Sequence, residues 1–390
     1  MKRISSFFAL ALPSVAIAEL KLDPTLHLNV AATATSADDP ADVAAHAHDP
    51  NDDLSLQGFD FGLNVHYDNW LSGFFNANAF TTADGRMDAE WEESFLKFQE
   101  LPGNFEIRAG RYLNRFGLQN NKHQHAWDFV NSNLSTPAFL GEEGLITEGG
   151  ELTWIAELDR GFFALSGSFG RAVDHDHHGH GDEHDDDHDD DHDDGDDHDE
   201  EEHGEHGGEE AYFSGDVATI RALLTLRQND FHQHHFGLNG AWGENGFDRD
   251  TSLYSADYVY QWRENGLEPG GREFSAGVEF FYRDVEWADE DEGLSGDTSQ
   301  NGFMVFGQYR FTDQWITDLR YEDIQGKQPL DDLSLGEDRE RISVALTREF
   351  EIADSPSYAR IQYSHDDLED GSEDTFWLQF GFSFGPAEVR

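Results

Sequence analysis

The sequence of 390 residues has no cysteine, few basic residues and no apolar run long enough to cross a membrane as a helix. Without cysteine, the chain has no disulfide framework, no cysteine nucleophile and no thiolate zinc site. A bundle of spanning helices is excluded, because each helix needs about 20 consecutive apolar residues. The 81 acidic residues and 25 basic residues give a formal charge of −56. We therefore expect no nucleic-acid partner, because its phosphates would repel the chain.

Aromatic residues are abundant, with 31 phenylalanines and an aromatic content of 13%, so the chain has enough apolar surface to fold. At its start, Lys2 and Arg3 precede the apolar run 4–12, and the small residues Ala16 and Ala18 stand at −3 and −1 before Glu19. This pattern predicts a secretory signal peptide at 1–18. The domain that remains is residues 19–390.

One internal segment has a composition that cannot form a core. Residues 174–210 contain 10 histidines, 21 acidic residues, 6 glycines and nothing else. Because the segment has no apolar side chain to bury, we predict a disordered insertion. The rest of the chain keeps 60 acidic residues against 25 basic ones, a formal charge of −35. It is therefore strongly anionic even without the insertion, although salt adaptation of the surface would give the same sign.

Elsewhere, apolar and polar residues alternate with period two, as in strands with one apolar face and one polar face. The clearest apolar series is Phe376, Leu378, Phe380, Phe382 and Phe384. A soluble sandwich would show the same alternation, but its strands usually have about 5 or 6 residues. The strands predicted here have about 10 to 13 residues, enough to cross a bilayer when tilted. Aromatic residues expected at membrane interfaces lie near strand ends: Tyr67, Trp70, Trp287, Phe311, Trp315 and Phe350.

The alternation predicts an all-β fold, a transmembrane antiparallel β-barrel of the bacterial outer membrane. Sixteen strands are expected, an even number as in bacterial single-chain barrels. We place them at 20–31, 55–66, 70–80, 89–99, 104–113, 145–155, 161–171, 216–227, 231–243, 252–263, 273–287, 301–311, 314–325, 338–349, 357–366 and 374–384.

The connections between these strands alternate in length. Short turns at 66–69, 101–103, 228–230 and 312–313 separate long links at 32–54, 114–144, 172–215, 288–300 and 326–337. Short turns of such barrels face the periplasm and long loops face the exterior. The histidine-rich segment 174–210 is therefore predicted to be external.

The segment Arg108–Gly117 and the late sequence Phe-Gly-Phe-Ser-Phe-Gly-Pro at 380–386 resemble outer-membrane porins of the phosphate-selective type. The layout resembles more closely the porin-like barrels with histidine-rich loops that are associated with zinc. The resemblance implies that the third external loop, 114–144, folds inward and narrows the channel. Two features depart from it. The chain continues past Phe384, where such barrels commonly end on an aromatic residue, and its negative charge contradicts an anion channel.

The insertion carries the predicted metal chemistry, because neutral imidazole and carboxylate groups are zinc ligands. Imidazole also suits nickel, copper and cobalt. Ordering a flexible chain costs roughly 1–2 kcal/mol per residue, so each site should be weak and exchange quickly. We thus expect no tightly bound cofactor, and Zn²⁺ or another divalent transition metal as a weakly bound ligand or substrate. The expected ligands are His175, His177, His178, His180, His184, His188, His192, His198, His203 and His206.

A second group of ligands is predicted inside the barrel. On the third external loop, His-x-His and nearby carboxylates could form a relay for a divalent cation. Its members are His123, His125, Asp128, Glu142 and Glu143. Ordinary loop histidines packed by Trp127 and Phe129 are the alternative. A minor site is expected on the first loop, at His46 and His48 with Asp49, Asp52 and Asp53, and no ligand role at His232, His234 and His235.

Two functions remain open from the sequence. The first is a porin-like channel that takes up divalent cations, chiefly zinc, after capture by the external segment. The second is a metal-sequestering or metal-sensing surface protein whose barrel is only an anchor. We expect no enzyme, because neither a serine nucleophile elbow nor a His-Glu-x-x-His helix is predicted. The expected partners are outer-membrane lipid and divalent metal ions, and a homotrimer is an open alternative to a monomer.

Overall fold

The computed structural model describes residues 20–37, 43–46, 48–50, 54–82, 85–173, 211–289, 293–327, 329, 336, 338–368 and 371–389. The predicted signal peptide 1–18 and the histidine-rich segment 174–210 lie outside the described residues. So do Asp52 and Asp53 of the first loop.

The described residues form a closed barrel of sixteen strands, each paired antiparallel with its neighbours in the sequence, and β1 paired with β16. The prediction of sixteen strands is confirmed. The strands are β1 Leu20–Thr35, β2 Ser55–Tyr67, β3 Leu71–Thr81, β4 Met87–Leu101, β5 Phe105–Leu113, β6 Ile146–Leu158, β7 Gly161–Ala172, β8 Phe213–Arg227, β9 His232–Asn245, β10 Asp250–Arg263, β11 Glu273–Asp289, β12 Leu294–Arg310, β13 Trp315–Gln325, β14 Arg339–Ile352, β15 Ser355–Leu368 and β16 Gly371–Phe384.

Apolar side chains of the strands point to the outside of the barrel, and polar side chains point to the inside. In β16, Phe376 and Leu378 are 56% and 57% exposed, whereas Trp377 and Gln379 are 4% and 1% exposed. The buried inner surface carries asparagine, glutamine, glutamate and arginine side chains. This arrangement suits lipid outside and a polar lumen inside. No helix in the described ranges is long and apolar enough to cross a membrane.

The prediction of an external link at 288–300 is wrong, because most of these residues belong to strands. β11 continues to Asp289 and pairs with Leu294 at the start of β12, so the two strands extend beyond the predicted limits. Polar residues occupy this extension on both faces, so hydrophobic alternation could not reveal it. Trp287 also differs from the prediction. It is 8% exposed and packs inward against Phe247, rather than facing the membrane interface.

The third external loop, residues 114–145, folds into the barrel, as the resemblance implied. It contains the short helix α1 at Ser135–Leu140. The N–H of Val130 donates to Gln362 Oε1 at 2.7 Å, and the N–H of Leu134 donates to Glu322 Oε1 at 2.8 Å. Its apolar side chains Leu134, Phe139 and Leu140 pack against the inner wall, which contributes Leu253 and Phe281. The loop is therefore held by both hydrogen bonds and apolar contacts.

Arg320 in β13 is a principal anchor of this loop. Its guanidinium donates to Asn131 Oδ1 at 2.9 Å and to the carbonyl oxygen of Ser132 at 3.0 Å. The same side chain lies 2.8 Å from Glu322, and both are buried. We expect Arg320→Gln to lower the free energy of unfolding by about 3 kcal/mol, because Glu322 keeps a buried charge without this partner. It should also raise single-channel conductance by loosening the loop.

The matched control is Arg310→Gln near the short-turn end, where Arg310 pairs with Glu349 at side-chain exposures of 22% and 43%. An exposed pair contributes less than about 1 kcal/mol. Urea unfolding in detergent measures both variants. Equal shifts in the two variants would show that Arg320 is not a special anchor of the loop.

The pattern Gly-x-Ser-x-Gly occurs at 381–385, but it lies where β16 ends. A nucleophile elbow requires a sharp turn from a strand into a helix. In the described residues that follow, 385–389, there is no helix. The hydroxyl of Ser383 instead forms a hydrogen bond with His27 Nδ1 at 2.9 Å. The match to the pattern therefore does not supply the geometry of a serine nucleophile.

Candidate metal route in the lumen

The described part of the first loop also lies inside the barrel, next to the third loop. Arg341 donates to the carbonyl oxygen of Val43 at 2.8 Å, and Trp377 Nε1 donates to that of Pro50 at 2.7 Å. Asp49 joins the two loops. Its Oδ1 accepts from the N–H of Ser132 at 2.7 Å, while its Oδ2 accepts from the N–H of Ala45 at 3.0 Å. Asp49 thus holds backbone groups and belongs to no group of potential metal ligands in the described ranges.

The contact between the two loops brings together a set that we call the loop cluster: His46, His48, Glu90, Glu92 and Glu143. His48 Nε2 lies 2.8 Å from Glu90 Oε1 and 3.5 Å from Glu143 Oε2. His48 belongs to two groups of three residues whose potential ligand atoms all lie within 4.8 Å of one another. One group contains His46 and Glu143, and the other contains Glu90 and Glu92.

Carboxylates outnumber imidazoles in the loop cluster, and a metal cation bound there would displace the proton that they hold on His48. Burial opposes the charged form of His48, but the carboxylates of Glu143 and Glu90 outweigh it and raise its pKa to about 10. Burial and the carboxylate of Glu90 raise the pKa of Glu143 to about 8. Among His46, His48, Glu92, His123 and Glu143 lies a cavity of about 30 Å³. That volume is sufficient for a single small ion or water molecule.

His123 connects the loop cluster to a second set of ligands. Its Nε2 lies 3.5 Å from Glu92 and 3.1 Å from Glu93, both on β4. Its Nδ1 lies 3.3 Å from Glu388, which follows the last strand. His123 is 2% exposed, so these contacts are shielded from bulk water.

The second set, which we call the tail cluster, consists of His27, Asp60, His125 and Glu388. His125 Nδ1 lies 3.1 Å from Asp60 Oδ2, and its Nε2 lies 3.6 Å from Glu388 Oε1. The rings of His27 and His125 are stacked, with centroids 3.5 Å apart and an angle of 3° between planes. The loop cluster, His123 and the tail cluster thus form one continuous series of imidazoles and carboxylates.

The other predicted ligands lie elsewhere. Asp128 faces a separate cavity of about 430 Å³ on the far side of the third loop, and its Oδ1 accepts from Gln308 Nε2 at 3.1 Å. Glu142 is exposed next to Glu143. His232 and His234 contact the hydroxyls of Tyr260 and Tyr258, and His235 contacts Thr225.

The sequence patterns did not identify His27, Asp60, Glu388 or three of the glutamates of β4, which are Glu90, Glu92 and Glu93. Asp60 and Glu93 occupy polar positions of alternating strands, so the phase of alternation marks them as lumenal. His27 on β1 shares the phase of the polar residues Thr25 and Asn29, which are buried, so the same alternation marks His27 as lumenal. Glu388 had only one signal, the continuation of the chain beyond Phe384.

Comparisons with known proteins agree with the fold. No family model matches the chain. An uncharacterized protein of Aquifex aeolicus (strain VF5) is 36% identical over 77 residues, which are 20% of this chain and 16% of that protein. The match therefore spans well under two thirds of that relative.

Among solved structures, the outer membrane channel DcaP of Acinetobacter baumannii is similar, with a TM-score of 0.57, 11% identity and coverage of 95% of this chain and 99% of that one. An anion-selective porin from Comamonas acidovorans has a TM-score of 0.55 and 11% identity, over 94% and 100% of the chains. A loop-deletion mutant of OmpT, an outer membrane protein of Vibrio cholerae, has a TM-score of 0.54 and 11% identity, over 94% and 99%. These likenesses show that the chain has the fold of a porin-type barrel.

Proposed function

We propose that this outer-membrane barrel is a channel for divalent metal cations, with zinc as the principal candidate. The observation that carries the proposal is the continuous series of ligands inside the lumen. It runs from Glu143 and His48 through Glu92 to His123, and then through Glu388 to His125. Because the first and third loops follow odd-numbered strands, the series begins on elements that enter from the exterior.

The chemistry of the series suits a borderline-soft divalent ion. Neutral imidazole and carboxylate are the zinc ligands available to a chain without cysteine. Conduction requires several sites that bind well enough to admit an ion and weakly enough to release it. Adjacent groups that share Glu92 and Glu388 can pass an ion in short steps. The wall at β1–β4 thus provides ligands at each stage.

Arginines on β13–β15, separated from β1 by β16, do not favour anion passage, because they hold the inner loops. Arg341 Nε donates to Asp366 Oδ1 at 2.7 Å, and Arg320 binds the third loop as described above. Arg360 Nη2 donates to the carbonyl oxygen of Trp127 at 3.1 Å. The positive charge of this wall is therefore occupied by carboxylates and backbone oxygens. This supports a preference for cations, although one similar structure is described as anion-selective.

Capture outside the barrel is the second part of the proposal. The end of β7 and the start of β8 lie on the side of the first and third loops, and the ten histidines fall between these two strands in the sequence. Their imidazoles, with the surrounding carboxylates, would concentrate metal at the mouth through ligation and through the local negative field. No tightly bound cofactor is proposed. We further propose a homotrimer in outer-membrane lipid, because one similar OmpT structure of Vibrio cholerae is described as a trimer.

The filled lumen favours a second candidate function. Two loops and the segment after β16 occupy the space inside the barrel, which is compatible with a closed anchor that sequesters or senses metal. Both candidates are non-enzymatic, and we propose no catalytic activity for either.

Single-channel recording of the reconstituted full chain tests the channel. We expect stepwise currents, and a reversal potential in a potassium chloride gradient that indicates preference for potassium. Micromolar zinc should reduce the potassium current as it occupies the lumenal ligands. A folded barrel that conducts nothing would reject the channel and leave the anchor.

A further inference from the structure

The chain turns into the lumen after its last strand. Gly385 has φ of +101°, a conformation that favours glycine. A Cβ atom at this position would lie 2.5 Å from the carbonyl oxygen of Pro24 and 2.9 Å from Thr25 Cα. Both are backbone atoms of β1, so a side chain could not be accommodated by a rotamer change. The turn therefore depends on glycine.

Residues 385–389, the trailing segment, are held by the inner wall. Asn64, which is fully buried, donates from Nδ2 to the carbonyl oxygen of Ala387 at 3.1 Å. Its Oδ1 accepts from the N–H of Val389 at 2.8 Å. Val389 packs against the aromatic cluster that contains Phe74 and Tyr112. These contacts on either side of Glu388 direct its side chain towards the histidines.

Glu388 lies opposite the edges of two stacked imidazoles. Its Oε1 is 3.6 Å from His125 Nε2 and 3.9 Å from His27 Nε2. These three potential ligand atoms all lie within 4.8 Å of one another. The side chains of His27 and Glu388 are 12% and 8% exposed.

The other nitrogen of each ring has a partner that orients it. His125 Nδ1 lies 3.1 Å from Asp60 Oδ2, and a carboxylate accepts hydrogen bonds, so this nitrogen carries the proton. His27 Nδ1 lies 2.9 Å from the Ser383 hydroxyl. Among the described residues, His27 Nε2 has no hydrogen-bond partner. Such outer partners typically orient metal-binding histidines and set their tautomers.

We propose that His27, His125 and Glu388 form a site for a divalent transition metal, to which the trailing segment contributes the carboxylate. The inference rests on the proposed function and adds a binding site further along the proposed route, next to His123. Two imidazoles and one carboxylate match zinc sites with three protein ligands, which keep a fourth position open for exchange. His123, 3.3 Å from Glu388, would deliver the ion from the loop cluster.

A spin label on the trailing segment provides a test specific to this site. Because the chain lacks cysteine, Ala387→Cys introduces a single attachment point on an exposed side chain. Cu²⁺ is the probe, since imidazole sites generally bind it more tightly than zinc and its unpaired electron broadens a nearby nitroxide signal. The full chain, labelled and refolded in detergent, is titrated with Cu²⁺. The same titration is repeated with Glu388→Gln and with the control Glu349→Gln at the same end of the barrel.

We expect Glu388→Gln to raise the Cu²⁺ concentration needed for broadening by at least about tenfold, the smallest effect usual for loss of even an outer partner. Glu349→Gln should leave it unchanged. Copper bound by 174–210 is common to all three samples and does not affect the comparison. Equal broadening in all three overturns the site. Conductance of the same samples separates the two proposals. If zinc blocks the current but broadening is equal in all samples, only this site is rejected. If broadening differs between the samples but no current flows, the site is supported and the channel is rejected.

Discussion

Replacing His48 with glutamine should weaken the zinc block of potassium current by about tenfold or more. His48 is shared by both groups of three potential ligands in the loop cluster, so its loss affects both. Even loss of an outer-shell partner typically reduces metal affinity by about 10- to 100-fold, and His48 is a proposed direct ligand. The measurement is single-channel current against zinc concentration. Unblocked conductance should change far less than the concentration for half block.

The matched control for this experiment is His235→Gln. His235 also faces the lumen, but it contacts Thr225 and Gln233 rather than a carboxylate. Retention of the folded barrel can be checked by heat-dependent electrophoretic mobility before recording. If His48→Gln and the unaltered protein showed the same half-blocking zinc concentration, the loop cluster would not be part of the ion route.

Replacing the ten histidines of 174–210 with asparagine should remove most of the zinc bound by the folded protein. Imidazole supplies the preferred nitrogen ligands, whereas asparagine does not, and the acidic residues remain. Equilibrium dialysis gives the number of zinc ions bound. Potassium conductance should persist, because the barrel is unchanged, while zinc flux at low external zinc should fall.

A companion variant separates ligation from charge. In it, the acidic residues of 174–210 become asparagine or glutamine and the histidines remain. The resulting loss of cation flux should be largest at low salt and disappear near 1 M salt, where the screening length is about 3 Å. Undiminished zinc binding by the histidine-free protein would contradict capture by the segment.

Much of the barrel was predictable from the sequence, because each strand must present lipid on one face and the lumen on the other. Phe274, Val278 and Phe280 follow the outward phase of β11. Phe281, an apolar residue at an inward position, packs against Phe139. This alternation is no longer required where the strands extend beyond the bilayer. There β11 and β12 continue with polar residues on both faces, and Trp287 turns inward.

The candidate site was only partly predictable. His123, His125 and Glu143 were identified by their residue types and their place on the third loop. Their partners come from remote parts of the chain: Glu90 and Glu92 on β4, His27 on β1 and Glu388 after β16. Asp128, although close to His125 in sequence, faces another cavity. Spacing along a loop does not reveal which wall each side chain reaches.

Local chemistry in the sequence determined the outward-apolar strands, their even number, the chain's negative charge and the absence of thiolate ligands. These properties depend on residue type and on a period of two, and both can be read without long-range contacts. Only the tertiary structure decided which ligands meet. Closure of the barrel brings β1 beside β16, and the inward turn at Gly385 then places Glu388 next to His27. That encounter joins residues from opposite ends of the described chain, a distance over which sequence pattern carries no geometric information.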